Sequence, residues 1–155
     1  MGTNKTDVVI VGAGPAGLFV ALDLSERGGL EVTILDKGPD IHERRCPASE
    51  TGVCVRCSVC SLLSGWGGAG AFSDGKLIYS PDVGGWLSKL VGKEKLLKLM
   101  ERVDRTYLSF GAPKKLYGVD EDKVADIARE AALAGLKLVP QKVRPVSYTH
   151  LRAHE

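Results

Sequence analysis

Two groups of residues in this chain have the types and spacing to do chemistry. The first is Gly12-Ala13-Gly14-Pro15-Ala16-Gly17, a G-x-G-x-x-G, with Asp36 nineteen residues beyond its last glycine. In such a run the first glycine permits a tight turn, the second lets backbone approach a pyrophosphate, and the third lets helix pack closely on strand. The free N–H groups at the start of a helix, and its dipole, then hold the diphosphate. Pro15 is tolerated in that first turn, where its missing N–H is not needed. Asp36 stands at the right distance to accept hydrogen bonds from ribose hydroxyls, so the run points to a dinucleotide.

The second group is Cys46, Cys54, Cys57 and Cys60, spaced C-x7-C-x2-C-x2-C. Thiolates two residues apart can converge on one ion, and three such cysteines plus a fourth resemble iron–sulfur ligation. The spacing departs from the ferredoxin run, because the outlying Cys46-Pro47 lies upstream. Four-thiolate zinc is the other metal option. A redox-active pair and a set of reduced structural thiols stay open beside these. No general base stands out. His42 is in a charged loop, where a solvated side chain is expected.

These residues must be positioned by regular elements, and the chain supplies them at its start. Val8-Val9-Ile10-Val11 is a short apolar, β-branched run that suits a strand buried on both faces of a parallel sheet. A helix opens in the glycine run and continues to about Arg27, where Gly28-Gly29 stops it. Val32-Thr33-Ile34-Leu35 is the second strand, with Asp36 at its carboxyl end. From Pro39 to Pro81 the periodicity nearly disappears, although Trp66, Phe72 and Leu62-Leu63 are not the residues of a disordered tract. Leu96, Leu99, Met100, Val103, Tyr107 and Phe110 predict an amphipathic helix ending near Gly111. Asp120 caps a second helix whose buried face is Val124, Ile127, Ala128, Ala131 and Ala134, ended by Gly135. A strand over Leu136-Lys137-Leu138-Val139, running on toward Val143, is expected to follow.

Bulk composition narrows the classes. The chain has 155 residues, 44% of them hydrophobic, enough for one core. Its net charge of +2, with both signs interspersed, implies neither nucleic acid nor a membrane surface as a partner. No apolar run has transmembrane length, and the start lacks a signal-peptide pattern, so the expected location is the cytoplasm. Four cysteines within fifteen residues of such a chain point to metal or redox chemistry before disulfides.

The VGAGPAG run, with Asp36-Lys37-Gly38 closing the second strand, resembles the glutathione-reductase-like superfamily of FAD-dependent oxidoreductases. NAD is the alternative for this unit alone, and the absence of arginine directly after Asp36 argues against a 2′-phosphate. A second glycine-rich stretch, Gly67-Gly68-Ala69-Gly70-Ala71-Phe72-Ser73-Asp74-Gly75-Lys76, looks like the superfamily element that lies along the diphosphate, ribityl chain or flavin ring. With the cysteine block, it makes residues 7–144 similar to a family of uncharacterised bacterial and archaeal FAD-dependent dehydrogenases.

The resemblance implies an α/β fold: a Rossmann-like FAD-binding βαβ unit with a parallel sheet, incomplete, plus a partly helical inserted segment. It implies an FAD-binding unit with its cysteine- and glycine-rich loop over residues 1–80 and a helical insertion over 81–118. A helix and strand over 119–145 then return the chain to the first unit. FAD would be held by Gly12, Gly14, Pro15, Ala16, Gly17, Asp36 and Lys37, and by Gly67, Gly68, Ala69, Gly70 and Ser73. Backbone at Val143 would reach the adenine. Asp74 and Lys76 stand where they could meet the ring or a substrate, although an exposed Asp-Gly turn explains Asp74 equally well. The function expected is the N-terminal part of a flavin-dependent dehydrogenase acting on an organic small molecule. The alternative is a non-catalytic nucleotide-binding domain carrying a zinc or iron–sulfur module. Residues 146–155, VSYTHLRAHE, resemble a non-native tail, so His150 and His154 are not read as ligands or bases.

Overall fold

The β-branched runs Val8–Val11 (β1) and Val32–Leu35 (β2) pair in parallel, with Val8 opposite Val32 and Val11 opposite Leu35. The computed structural model describes residues 5–72 and 75–146. Ser73, Asp74 and the histidines of the tail lie outside the described residues. The chain divides into two units, Met1–Ser73 and Asp74–Glu155.

In the first unit, helix α1 (Pro15–Arg27) crosses between the two strands and packs on both, giving β1-α1-β2. A parallel pair needs such a crossover. Proline occupies its first turn and Gly28 ends it, as the sequence predicts. The result is a βαβ unit with a two-stranded parallel sheet, a partial Rossmann-like fold. One expectation changes: β1 is not buried on both faces, since Val9 is 49% and Val11 85% exposed. Among the described residues β1 has β2 as its partner on one edge only. The long segment after β2 is irregular apart from a short helix α2 (Ala48–Thr51) and a 3-10 turn over Gly68–Phe72.

The second unit begins with β3 (Lys76–Ile78), followed by α3 (Leu87–Val91), α4 (Lys93–Ser109), α5 (Glu121–Leu133) and β4 (Val143–Pro145). Strand β3 pairs antiparallel with β4, and Tyr117 bridges to Val143. Helix α4 leaves Leu96, Met100, Val103 and Tyr107 half-buried, while Leu99 and Phe110 of the same stripe are 40% and 66% exposed. Asp120 caps α5 as expected, accepting the Lys123 N–H at 3.1 Å. Its face is less covered than the periodicity implies, Ile127 being 57% exposed. The strand expected over 136–139 is absent, and that stretch is irregular and exposed. Strand structure starts only at Val143, where β3 supplies a partner for the backbone.

Within the second unit, a network joins Tyr79, just after β3, to α4 and β4. Arg144, 5% exposed, meets Asp104 with both its Nε and Nη2, the latter at 2.9 Å, and donates through Nη1 to the Pro113 carbonyl at 2.7 Å. The Tyr79 hydroxyl donates to Asp104 at 2.6 Å.

Candidate functional site

The first unit gathers its special residues at the carboxyl end of β1 and β2. The parallel ladder runs one bond further, the Gly12 N–H reaching the Leu35 carbonyl at 2.7 Å, and the chain then turns into α1. Gly14 is the N-cap and no side chain caps the helix. The N–H groups of a helix's first turn have no partner within the helix. Pro15 and Ala16 at this end are exposed. An uncapped, solvent-facing helix start is what an anionic group needs.

Gly17 explains how the turn closes. A Cβ there would stand 2.0 Å from the Gly12 carbonyl oxygen and 3.2 Å from the Ile10 side chain. Only glycine lets α1 lie this close to β1.

Asp36 is the centre of the arrangement. One carboxylate oxygen accepts the Ala13 N–H at 2.8 Å, and the other accepts the N–H groups of Gly38 and Gly65, each at 2.8 Å. Three bonds from the glycine turn, the end of β2 and the later loop thus meet on one side chain. The Ala13 N–H, followed by that of Gly38, holds the Asp36 carboxyl below its usual range. A carboxylate offers about four acceptor positions, so Asp36 keeps capacity for a further donor.

The second glycine stretch packs on the first. The Gly67 N–H donates to the Ala13 carbonyl at 2.9 Å. Gly68, at φ 58°, lies against the turn so closely that a Cβ would come 3.0 Å from the Gly14 Cα and 3.4 Å from the Pro15 ring. Ala13, 1% exposed, sits in the seam. Gly12, Gly14, Pro15, Ala16, Gly17, Asp36, Gly67 and Gly68 are therefore brought together. Ala69 and Gly70 follow in the exposed 3-10 turn, and Lys37 is exposed beside Asp36. Val143 belongs to the second unit, where its N–H and carbonyl are both bonded to Tyr117, at 3.1 and 2.9 Å.

Arg44 is the residue that sequence reasoning missed. It is 4% exposed. Its guanidinium donates to four backbone carbonyls: Ser61 at 2.7 Å, Leu62 at 2.9 Å, Trp66 at 2.6 Å and Gly68 at 2.8 Å. It also stands 4.6 Å from the Phe72 ring centroid. Burial pulls its pKa down, while Asp36 and Cys60 oppose that. The segment is read as a polar loop from its sequence, and nothing there separates buried Arg44 from exposed Arg45.

The four cysteines are unpaired and all line one small cavity of about 100 Å³, together with Arg45, Pro47, Val55, Arg56 and Ser61. Among the described residues no three His, Cys, Asp or Glu side chains are grouped closely enough to hold an ion. His42 is exposed, as its loop implies. No helix of the described residues is long and apolar enough to cross a membrane.

Residues 7–54 match the family described as FAD dependent oxidoreductase (DAO). The chain is also 42% identical, over 74 residues, to an uncharacterized protein of Clostridium beijerinckii (strain ATCC 51743 / NCIMB 8052). That match covers 47% of this chain and 14% of the relative, so the chain spans a small part of the protein it resembles. No solved structure matches.

Proposed function

We propose that this chain is the N-terminal, FAD-binding part of a flavin-dependent oxidoreductase of the dehydrogenase type. The observation that carries the reading is the seam in which Asp36 and two glycine stretches close around an uncapped helix start. The family match over residues 7–54 supports it, because that span contains the whole β1-α1-β2 unit and Asp36.

The residues present fit the cofactor. The first turn of α1 offers N–H groups and a positive dipole end to the diphosphate. Gly14 and Gly68 let the two glycine stretches meet with no side chain between them. Asp36 orients the ribose with its remaining acceptor capacity, and its lowered pKa keeps it charged at neutral pH. Gly67 to Phe72 would run beside the ribityl chain and ring, with Lys37 at the rim. FAD, when bound, supplies the acceptor for a hydride from an organic substrate. The chain's own part is to bind, orient and exclude water.

Equilibrium titration of the chain with FAD and with NAD, read by flavin fluorescence and by calorimetry, tests the reading. Binding of FAD in preference to NAD is expected. Tighter binding of NAD, or no discrimination between them, would count against it.

A further inference from the structure

The carbonyls that Arg44 holds belong to peptides whose N–H groups lie on the opposite side. We propose that Arg44 is a positioning residue of the dinucleotide site: by drawing the Gly68 carbonyl inward, it presents the Ala69 N–H to a diphosphate at the start of α1. The inference rests on the site reading above, but only on a diphosphate, which FAD and NAD share.

The direction follows from the planar peptide. In a trans peptide the carbonyl and the next residue's N–H point opposite ways, and every peptide of the described residues is trans. One nitrogen of Arg44, Nη1, holds the Trp66 carbonyl at 2.6 Å and the Gly68 carbonyl at 2.8 Å. The Trp66–Gly67 peptide shows where the other side leads. Its N–H, on Gly67, reaches the Ala13 carbonyl in the glycine turn at 2.9 Å. The Gly68–Ala69 peptide is drawn by the same nitrogen, so the Ala69 N–H is likewise turned away from Arg44.

Position and availability agree with that direction. Gly68 and Gly70, on either side of Ala69, both lie against Pro15, and a Cβ at each would stand 3.4 and 3.9 Å from its ring. Ala69 therefore lies alongside the first turn of α1, and it is exposed. Among the described residues its N–H has no acceptor, nor have those of Ala16 and Gly17 in that turn. An anion there meets free donors from both glycine stretches. Arg44 itself is 4% exposed and its donors are held by four carbonyls, so it acts through the peptide and does not touch the ligand.

A nitrogen-labelled 155-residue chain is titrated with ADP, the part common to FAD and NAD, and followed by amide NMR. In the wild type the Ala69, Ala16 and Gly17 amide protons are expected to move downfield together, with one dissociation constant. Movement at Ala16 and Gly17 with Ala69 unmoved would overturn the proposal. In Arg44→Lys the Ala69 response is expected to vanish while those of Ala16 and Gly17 persist. ADP should then bind about tenfold more weakly, the loss of one charged hydrogen bond. Loss of all three responses together, or unaltered ADP binding, would reduce Arg44 to a structural role and overturn the proposal. The wild-type titration needs no variant, so misfolding of Arg44→Lys leaves a decisive test. Arg44-dependent ADP binding without preference for FAD over NAD would remove the flavin reading and leave this inference standing. No response to ADP at any of the three amides would overturn both.

Discussion

Arg44 Nη1 donates to the Gly68 carbonyl at 2.8 Å, and the same guanidinium holds the carbonyls of Ser61, Leu62 and Trp66. One buried side chain therefore fixes the loop that closes on the glycine turn. Arg44→Ala should lose at least about 1.5–3 kcal/mol, the value of a single charged hydrogen bond. The other bonds will not add in full. Arg44→Lys should recover little, since a compact ammonium with three donors cannot span four carbonyls. Hydrogen exchange is the direct measurement. The Gly67 amide should lose protection in both variants, and unchanged protection would show that the loop is held by something else.

Gly68 must be glycine for two separable reasons. Its φ of 58° disfavours any side chain, and a Cβ would also stand 3.0 Å from Gly14. Gly29, at φ 74° with nothing within 4 Å of its Cβ position, isolates the first reason. Gly29→Ala should cost about 1–2 kcal/mol, the ordinary penalty of left-handed backbone. Gly68→Ala should cost more and should weaken FAD binding in the same titration. Equal costs with unchanged binding would mean that the seam opens freely.

How much of this was legible in the sequence depends on how local the cause is. Val8–Val11, the glycine turn and Val32–Leu35 follow from residue type and spacing within one stretch, and β1-α1-β2 stands where those predict. The Asp120 cap is equally local. What could not be read was set by distant partners. Arg44 is buried because carbonyls seventeen to twenty-four residues later surround it. Leu136–Val139 has the composition of a strand but meets no free edge, whereas Lys76–Ile78 becomes one by pairing with Val143–Pro145. The cysteine spacing suggested convergence on an ion, and among the described residues no three such side chains are grouped closely enough to hold one.

Asp36 joins three segments through one carboxylate, so its titration should be visible at all three. The hydrogen bond from Ala13, and next that from Gly38, lowers its pKa. A group depressed in the folded state contributes stability that is complete above its unfolded value of about 3.9 and is lost as pH falls through the folded value. The amide resonances of Ala13, Gly38 and Gly65 should therefore shift together in acid, with one midpoint below the ordinary aspartate range. Separate midpoints would break the connection. Asp36→Asn, which replaces one acceptor oxygen with a donor facing N–H groups, should weaken FAD binding roughly tenfold to a hundredfold, on the basis of about 1.5–3 kcal/mol for a charged hydrogen bond.

In the second unit, Asp104 carries the charge that keeps Arg144 buried. Arg144 holds the Asp104 carboxyl below its usual range, and burial with the Asp104 bond pushes the Tyr79 hydroxyl well above its own. Asp104→Asn keeps the shape and strands a guanidinium whose side chain is 6% exposed. Breaking a buried pair in this way costs about 3–5 kcal/mol. Tyr79→Phe removes one neutral donor and should cost about 0.5–1.5 kcal/mol. The wild-type unit should lose stability below about pH 4, as Asp104 takes up a proton that its unfolded form accepts more readily. Asp104→Asn should be less stable at pH 7 and less sensitive to acid. Urea unfolding followed by the circular dichroism of the helices, at pH 7 and at pH 3, measures both. An Asn variant that keeps the full acid sensitivity of the wild type would show that the pH dependence arises elsewhere.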